Sequence, residues 1–265
     1  MKPFILLTLF GTSLLFAEAK TDKNTFSTYL TKAIDSVEDA RKDALDALDN
    51  MVKYIDLNKT DENISKQSIS TKIVQANAVA QIARNTANVE IAKVKAMTLI
   101  SKAVDAIDMA KPKDKNAVKE ASTKSIIKAV ADVEIAKANA SKNIAKLTKR
   151  VEISKTIPKK LPHEDETLSI AENISKVQIA KYVSEVEVAK AQSYIDIAKS
   201  SMKSMIPKFS KENKEKLEEM KAKSTAKISS YITQLEILKS EIEAKISKEI
   251  AKIEISKTVL QEEKK

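Results

Sequence analysis

The sequence predicts an all-α protein, an elongated up-and-down antiparallel bundle of about five long helices. Three observations predict it. A phrase made of a β-branched residue, Ala and Lys returns every nine residues, most regularly at Ile179-Ala180-Lys181, Val188-Ala189-Lys190 and Ile197-Ala198-Lys199. The 265 residues contain one Gly, no Cys and no Trp, so a sheet protein with tight turns is excluded. Charged residues form 32% and apolar ones 43%, and this apolar content is too high and too periodic for a disordered chain.

Nine residues at about 100° each come to about 900°, half a turn beyond two full turns. Successive copies of the phrase therefore point to opposite sides of a helix, and two copies span very nearly five whole turns. Such a repeat matches a straight helix better than a heptad does, so little supercoil is expected. It also gives a helix two apolar seams, and a helix with two seams needs two neighbours. Many seam positions are Ala, which lets backbones approach closely while burying little area at each contact.

Residues 1–19 read as a secretory signal. Lys2 supplies the positive start, 4–17 is a short apolar run, and Ala17-Glu18-Ala19 fits cleavage after Ala19. No later stretch reaches the roughly 18 apolar residues of a membrane span. The expected mature chain, 20–265, forms one elongated domain.

The first helix, about 25–57, has one regular seam through Leu30, Ala33, Val37, Ala40, Ala44 and Leu48. Its middle is acidic, with Asp35, Glu38, Asp39, Asp43, Asp46 and Asp49. The second, about 64–111, carries both seams: Val74, Ala78, Ile82, Ala96 and Ala103 on one side, and Ala76, Ala80, Ala87 and Val94 on the other. Pro112 ends it, because proline lacks an amide proton and disfavours helix in the residue before it. Asp114 is the expected N-cap of a third helix, about 114–157. Pro158 and Pro162 bracket the next connection. A fourth helix, about 167–206, stops at Pro207, and Ser210 caps a fifth, about 210–263. Val89-Glu90-Ile91-Ala92-Lys93, Val133-Glu134-Ile135-Ala136-Lys137 and Val186-Glu187-Val188-Ala189-Lys190 each precede a Pro-Lys pair, so the helix itself is the repeated unit. At 1.5 Å per residue each helix is about 60–80 Å long. Short connections favour antiparallel neighbours.

The chain lacks catalytic parts. Without Cys, and with His163 as its only histidine, it offers no nucleophile–base machinery. His163-Glu164-Asp165-Glu166 reads as an acidic helix start, favoured by the helix dipole, rather than a metal site. A single Gly excludes phosphate-cradling loops. No enzyme activity, cofactor or metal is expected.

The net charge is +10 and unevenly placed. By residue count, 20–63 is net −3, 64–157 net +10 and 158–265 net +3. Lys in the nine-residue phrase falls on alternate sides, so it draws no single basic stripe, and each Lys can snorkel beside a seam. The expected partners are another protein or an anionic envelope surface: lipid headgroups, lipopolysaccharide or wall polymer. Export and the few aromatics argue against nucleic acid. Self-association is open.

Two short stretches stand apart. Asp56-Leu57-Asn58-Lys59-Thr60 and Asp61-Glu62-Asn63-Ile64-Ser65 both place an acid two residues before an N-x-Ser/Thr asparagine. Each resembles the extended acceptor sequence of bacterial N-glycosylation known from Campylobacter-like organisms, which implies modification at Asn58 and Asn63. The expected function is an exported, non-enzymatic scaffold, spacer or interaction protein of a bacterial envelope, periplasmic or secreted. The alternative is a membrane-surface-active amphipathic protein, lipid-binding or toxin-like. A closed bundle would use both seams on protein neighbours and leave no apolar face for lipid.

Overall fold

The computed structural model describes residues 23–56, 71–155, 164–209 and 214–262. Five helices occupy nearly all of them: α1 Lys23–Asp56, α2 Thr71–Met109, α3 Lys115–Lys155, α4 Glu164–Phe209 and α5 Lys214–Glu262. No strand occurs among the described residues. The recurring Glu-x-x-Lys of the sequence forms an ion pair within one turn at Glu90–Lys93, Glu134–Lys137, Glu152–Lys155, Glu236–Lys239 and Glu254–Lys257. Pairs at this spacing each stabilise a helix by about 0.2–0.5 kcal/mol. The same phrase that plants the apolar seams thus also supports each helix locally.

The fold is an all-α bundle laid out as an open array. α1 packs on α3, α3 on α2, α2 on α4 and α4 on α5, and no other pair packs extensively. The spatial order is therefore α1–α3–α2–α4–α5. Cross-helix bonds give the directions. Asn143 Nδ2 donates to Asn85 Oδ1 at 3.0 Å, and Thr71 Oγ1 donates to the Ser154 carbonyl at 2.7 Å, so α2 and α3 run antiparallel. Ser175 donates to the Ala76 carbonyl (2.7 Å), Thr98 meets Ser193 (2.6 Å) and Ser204 donates to Asp105 (3.2 Å), so α2 and α4 run parallel. Arg41 with Glu134 and Lys142 with Asp43 place α1 parallel to α3. Tyr194 meets Tyr231, and the two lie about equally far from the short connection between Phe209 and Lys214, so α5 runs antiparallel to α4.

The two seams of α2 explain the layer. Val74, Ala78, Asn85, Ala96 and Ala103 are buried on the α3 side, and Ala80, Ala87, Val94 and Asp105 on the α4 side. At 100° per residue these sets lie nearly opposite. α3 repeats the device, with Ser122, Ala129 and Ala140 toward α2 and Thr123, Ala138 and Ala145 toward α1. On α4, Ser175, Val186, Ser193 and Ser204 face α2, and Ile195 faces α5. Opposite seams on three successive helices put all five axes in one layer. At 8–10 Å between axes the plate is about 40–50 Å wide, one helix thick and about 50–75 Å long.

Several expectations are revised. α1 does not pack on α2, nor α3 on α4, and two of the neighbouring pairs are parallel. Opposite seams hold each helix between two others, and this outweighs the preference for chain-consecutive neighbours. The core is thin, as the many Ala of the seams imply: no large side chain among the described residues is fully buried. α4 runs through Pro207 to Phe209 instead of stopping before it. Proline's fixed φ is helical, and in the last turn its missing amide removes only one bond near an end already due. α2 ends at Met109, with the Ala110 amide donating to the Ile107 carbonyl at 3.3 Å. Asp114 stands at the N-cap position of α3, its carbonyl accepting the Val118 amide at 3.0 Å. Ser210 lies outside the described residues.

The α2–α4 seam carries one expensive group. Asp105 is buried, and while its Oδ1 accepts from Ser204, its Oδ2 has no partner. Ser204 also donates to the Ser201 carbonyl at 2.9 Å, so removing the acid strands no hydroxyl. Asp105→Ala relieves an unsatisfied buried oxygen, worth about 1–3 kcal/mol, and raises helix propensity. The expected outcome is a higher melting temperature in circular dichroism. A fall would mean that the acid has a partner essential to the seam.

Candidate interaction surface

A one-layer plate has two broad faces, each formed by the sides of the helices that the seams leave free. Two shallow grooves between α2 and α3 open on one face. One is lined by Asn77, Gln81, Leu147, Arg150 and Gln178, the other by Asn88, Lys95, Leu99 and Asp132. Helical spacing adds Arg84 and Lys102 on α2, Lys128 and Lys146 on α3, and Lys181, Lys199 and Lys203 on α4 to this face. All seven are exposed. The acids beside them are fewer, and Asp132 and Glu185 are exposed among them. Asp196 is held by Lys102 at 3.0 Å, and Asp43 at the α1 border by Lys142 at 2.5 Å. The result is a basic face spread over α3, α2 and α4.

Each helix alone does alternate its lysines, as the sequence indicates: Lys119, Lys137 and Lys155 of α3 fall on the opposite face. The basic face arises because the extra cations, including Arg84 and Arg150, share one phase and the helices stack in phase.

The opposite face is different in kind. Val79, Met97, Val104, Val183, Tyr194 and Met205 are exposed there, interspersed with charged pairs such as Glu90–Lys93. The covered surface expected of a closed bundle does not apply, because the bundle is open. The seams are used, but the layer is open and this second side is uncovered. Tyr194 and Tyr231 stand 6.1 Å apart, with the Lys227 ammonium 5.8 Å from the Tyr231 ring centre.

Ion pairs within and between helices tune several carboxylates. Burial tends to raise Glu134, but hydrogen bonds from Lys137 and Arg41 prevail and hold it below its ordinary value of 4.5. Burial likewise opposes, and Lys102 and Gln192 outweigh, in holding Asp196 below 3.8. The hydrogen bond from Lys142 lowers exposed Asp43, as that from Lys93 lowers Glu90 and that from Lys223 lowers Glu219. A carboxylate lowered in the folded state contributes stability above its unfolded value and loses it as pH falls through its folded one. The melting temperature should thus hold steady from neutral pH to about pH 5 and fall below about pH 4.5. Glu134→Gln and Asp196→Asn should each shallow that fall in thermal melts. An unchanged acid slope in both variants would remove these pairs from the cause.

Ala19, Asn58, Asn63 and His163 lie outside the described residues. Glu164, Asp165 and Glu166 open α4. Among the described residues no group of three or more metal-ligating side chains gathers, and no helix is long and apolar enough to cross a membrane. No protein-family model matches the chain, and neither a curated protein nor a solved structure matches it.

Proposed function

We infer that the protein is an exported, non-enzymatic scaffold or spacer of a bacterial envelope, seated by its basic face on an anionic surface. The observation that carries this reading is the gathering of exposed Lys and Arg from three helices on one side of a one-layer plate. A flat array presents many cations to a flat surface at once, and each Lys or Arg near an anionic membrane is worth about 1 kcal/mol. Phospholipid headgroups are the simplest such surface. Attraction of this kind is screened over about 8 Å at physiological salt. The protein should sediment with vesicles rich in anionic phospholipid at low salt, release at moderate salt and leave their contents enclosed. No binding at low salt would overturn the reading.

A second reading rests on the other face. Its exposed Met97, Val104, Val183, Tyr194 and Met205 could enter the headgroup boundary of a bilayer. Buried apolar area is not screened, so this mode would persist through high salt and is distinguished in the same titration.

A further inference from the structure

The two edges of the plate are unlike. The outward side of α1 carries Asp35, Asp39, Lys42, Asp46 and Asp49, a solvated face that ends the array as a capping repeat does. α5 buries Leu235, Ile242 and Ile253 against α4. Half a turn away, at steps of three and four, its outward side reads Ala226, Ser229, Thr233, Ile237, Ser240 and Ala244. The pattern runs on through Ser247, Ala251, Ile255 and Thr258 without a charge, in a chain that is 32% charged. All of these residues are exposed, Ile237 at 54% and Ile255 at 64%. This is a second seam of the Ala, Ser and β-branched kind that α2 and α4 use to hold helices of this same chain, and on α5 none of the described helices covers it.

We propose that this seam of α5 binds the same seam of a second copy, making a twofold dimer in which two plates join edge to edge. Three features select that occupant. The acidic outer side of α1 would bury charge against an uncharged seam, so a head-to-tail filament is disfavoured and α5 is left to pair with itself, which closes the assembly. The flanks of the seam differ in sign: Glu218, Glu236, Glu243 and Glu254 lie on one side, and Lys223, Lys227, Lys245, Lys248 and Lys252, with Glu241 as the one acid among them, on the other. When two such helices run parallel about a twofold axis, the acidic flank of each meets the basic flank of the other; antiparallel, like meets like. The dimer is therefore parallel, by the flank-charge logic of coiled coils. Glu218, Glu236 and Glu254 already contact Lys221, Lys239 and Lys257 on their own helix, and each carboxylate has a second oxygen to offer. A seam about 55 Å long and one helix wide buries on the order of 1,200 Å² in total, the lower edge of stable interfaces, which suits a dimer forming at micromolar concentration.

The proposal goes beyond the scaffold reading: a twofold axis parallel to the helices turns the two basic faces to opposite sides of the joined plate, so a dimer would span two anionic surfaces as a spacer. Its test needs no lipid, so either can fail alone. Sedimentation of the mature chain from 1 to 200 µM should show the mass rising from one copy to two and no further. Ile237→Lys with Ile255→Lys, both at exposed positions, should hold the mass at one copy with helicity unchanged. Single Ala226→Cys and Ala251→Cys variants should each cross-link to a like copy under mild oxidation, because parallel helices set every seam residue beside itself. A mass of one copy throughout, growth beyond two, or a dimer indifferent to the Ile→Lys pair would overturn the proposal. Cross-linking only when the two Cys variants are mixed would overturn the parallel arrangement.

Discussion

Changing Lys95, Lys128, Lys146 and Arg150 together to Gln lowers affinity for anionic vesicles several hundred-fold at physiological salt. Four cations at about 1 kcal/mol each give about 4 kcal/mol, and each 1.4 kcal/mol is tenfold. All four lie on the basic face, on the two central helices. The matched control changes Lys93, Lys119, Lys137 and Lys176, which fall on the other face and keep the same net charge as the first variant. That control should lose less than about tenfold, because those ammoniums are held away from the surface by the thickness of a helix, more than a Debye length. Vesicle sedimentation of both variants decides the matter. Equal losses would mean that the protein binds by overall charge, and the seated plate would be wrong.

The second large effect tests the seams. Ala80 is 0% exposed between α2 and α4, and Ala129 is 1% exposed between α3 and α2. Close approach of backbones at such positions leaves no room for a longer side chain. Ala80→Leu and Ala129→Leu should each cost about 1–3 kcal/mol through overpacking. They sit on different seams, so the double variant should lose close to the sum. At roughly 2–4 °C per kcal/mol for a chain of this size, the double variant should melt roughly 5–20 °C lower. Ala121→Leu, at an exposed position of α3, should shift the melt by under about 2 °C. If Ala80→Leu is as harmless as Ala121→Leu, helix packing at these alanines is not what holds the layer.

Much of this was legible in the sequence, and the part that was not has a physical cause. The nine-residue period of Ile, Val and Ala gave the direction of both seams of α2, because burial along a helix depends mainly on angle, although Ile82, expected in one of them, lies exposed. The same half-turn geometry implies a layer rather than a ring, since a helix gripped on opposite sides stands in a row. Chain order hid this. Residues 57–70 and 156–163 link helices that are not neighbours, and no local pattern says which helix lies across a connection. Pro207 shows a second limit, since a proline near a helix end costs too little to stop the backbone at that residue. The basic face is a property of phase between helices: Lys128 and Lys146 join Lys95 and Arg84 only once α2 and α3 are aligned. The uncharged outer seam of α5 was open to reading, because a charge-free row at steps of three and four from 222 to 258 is visible in the sequence alone.

The central claim is that five helices stand in one open layer with α1 and α5 at its two edges. The chain has no cysteine, so spin labels can be placed without background. Lys42→Cys on α1 and Lys239→Cys on α5 lie at about the same height along the plate when register is carried across the helix pairs. Double electron–electron resonance on the labelled protein, diluted with unlabelled copies, measures the distance between them. Four interaxial steps of 8–10 Å predict a main distance of about 32–40 Å, lengthened slightly by the labels. A main distance below about 20 Å would bring the two edges together in a closed bundle and contradict the plate.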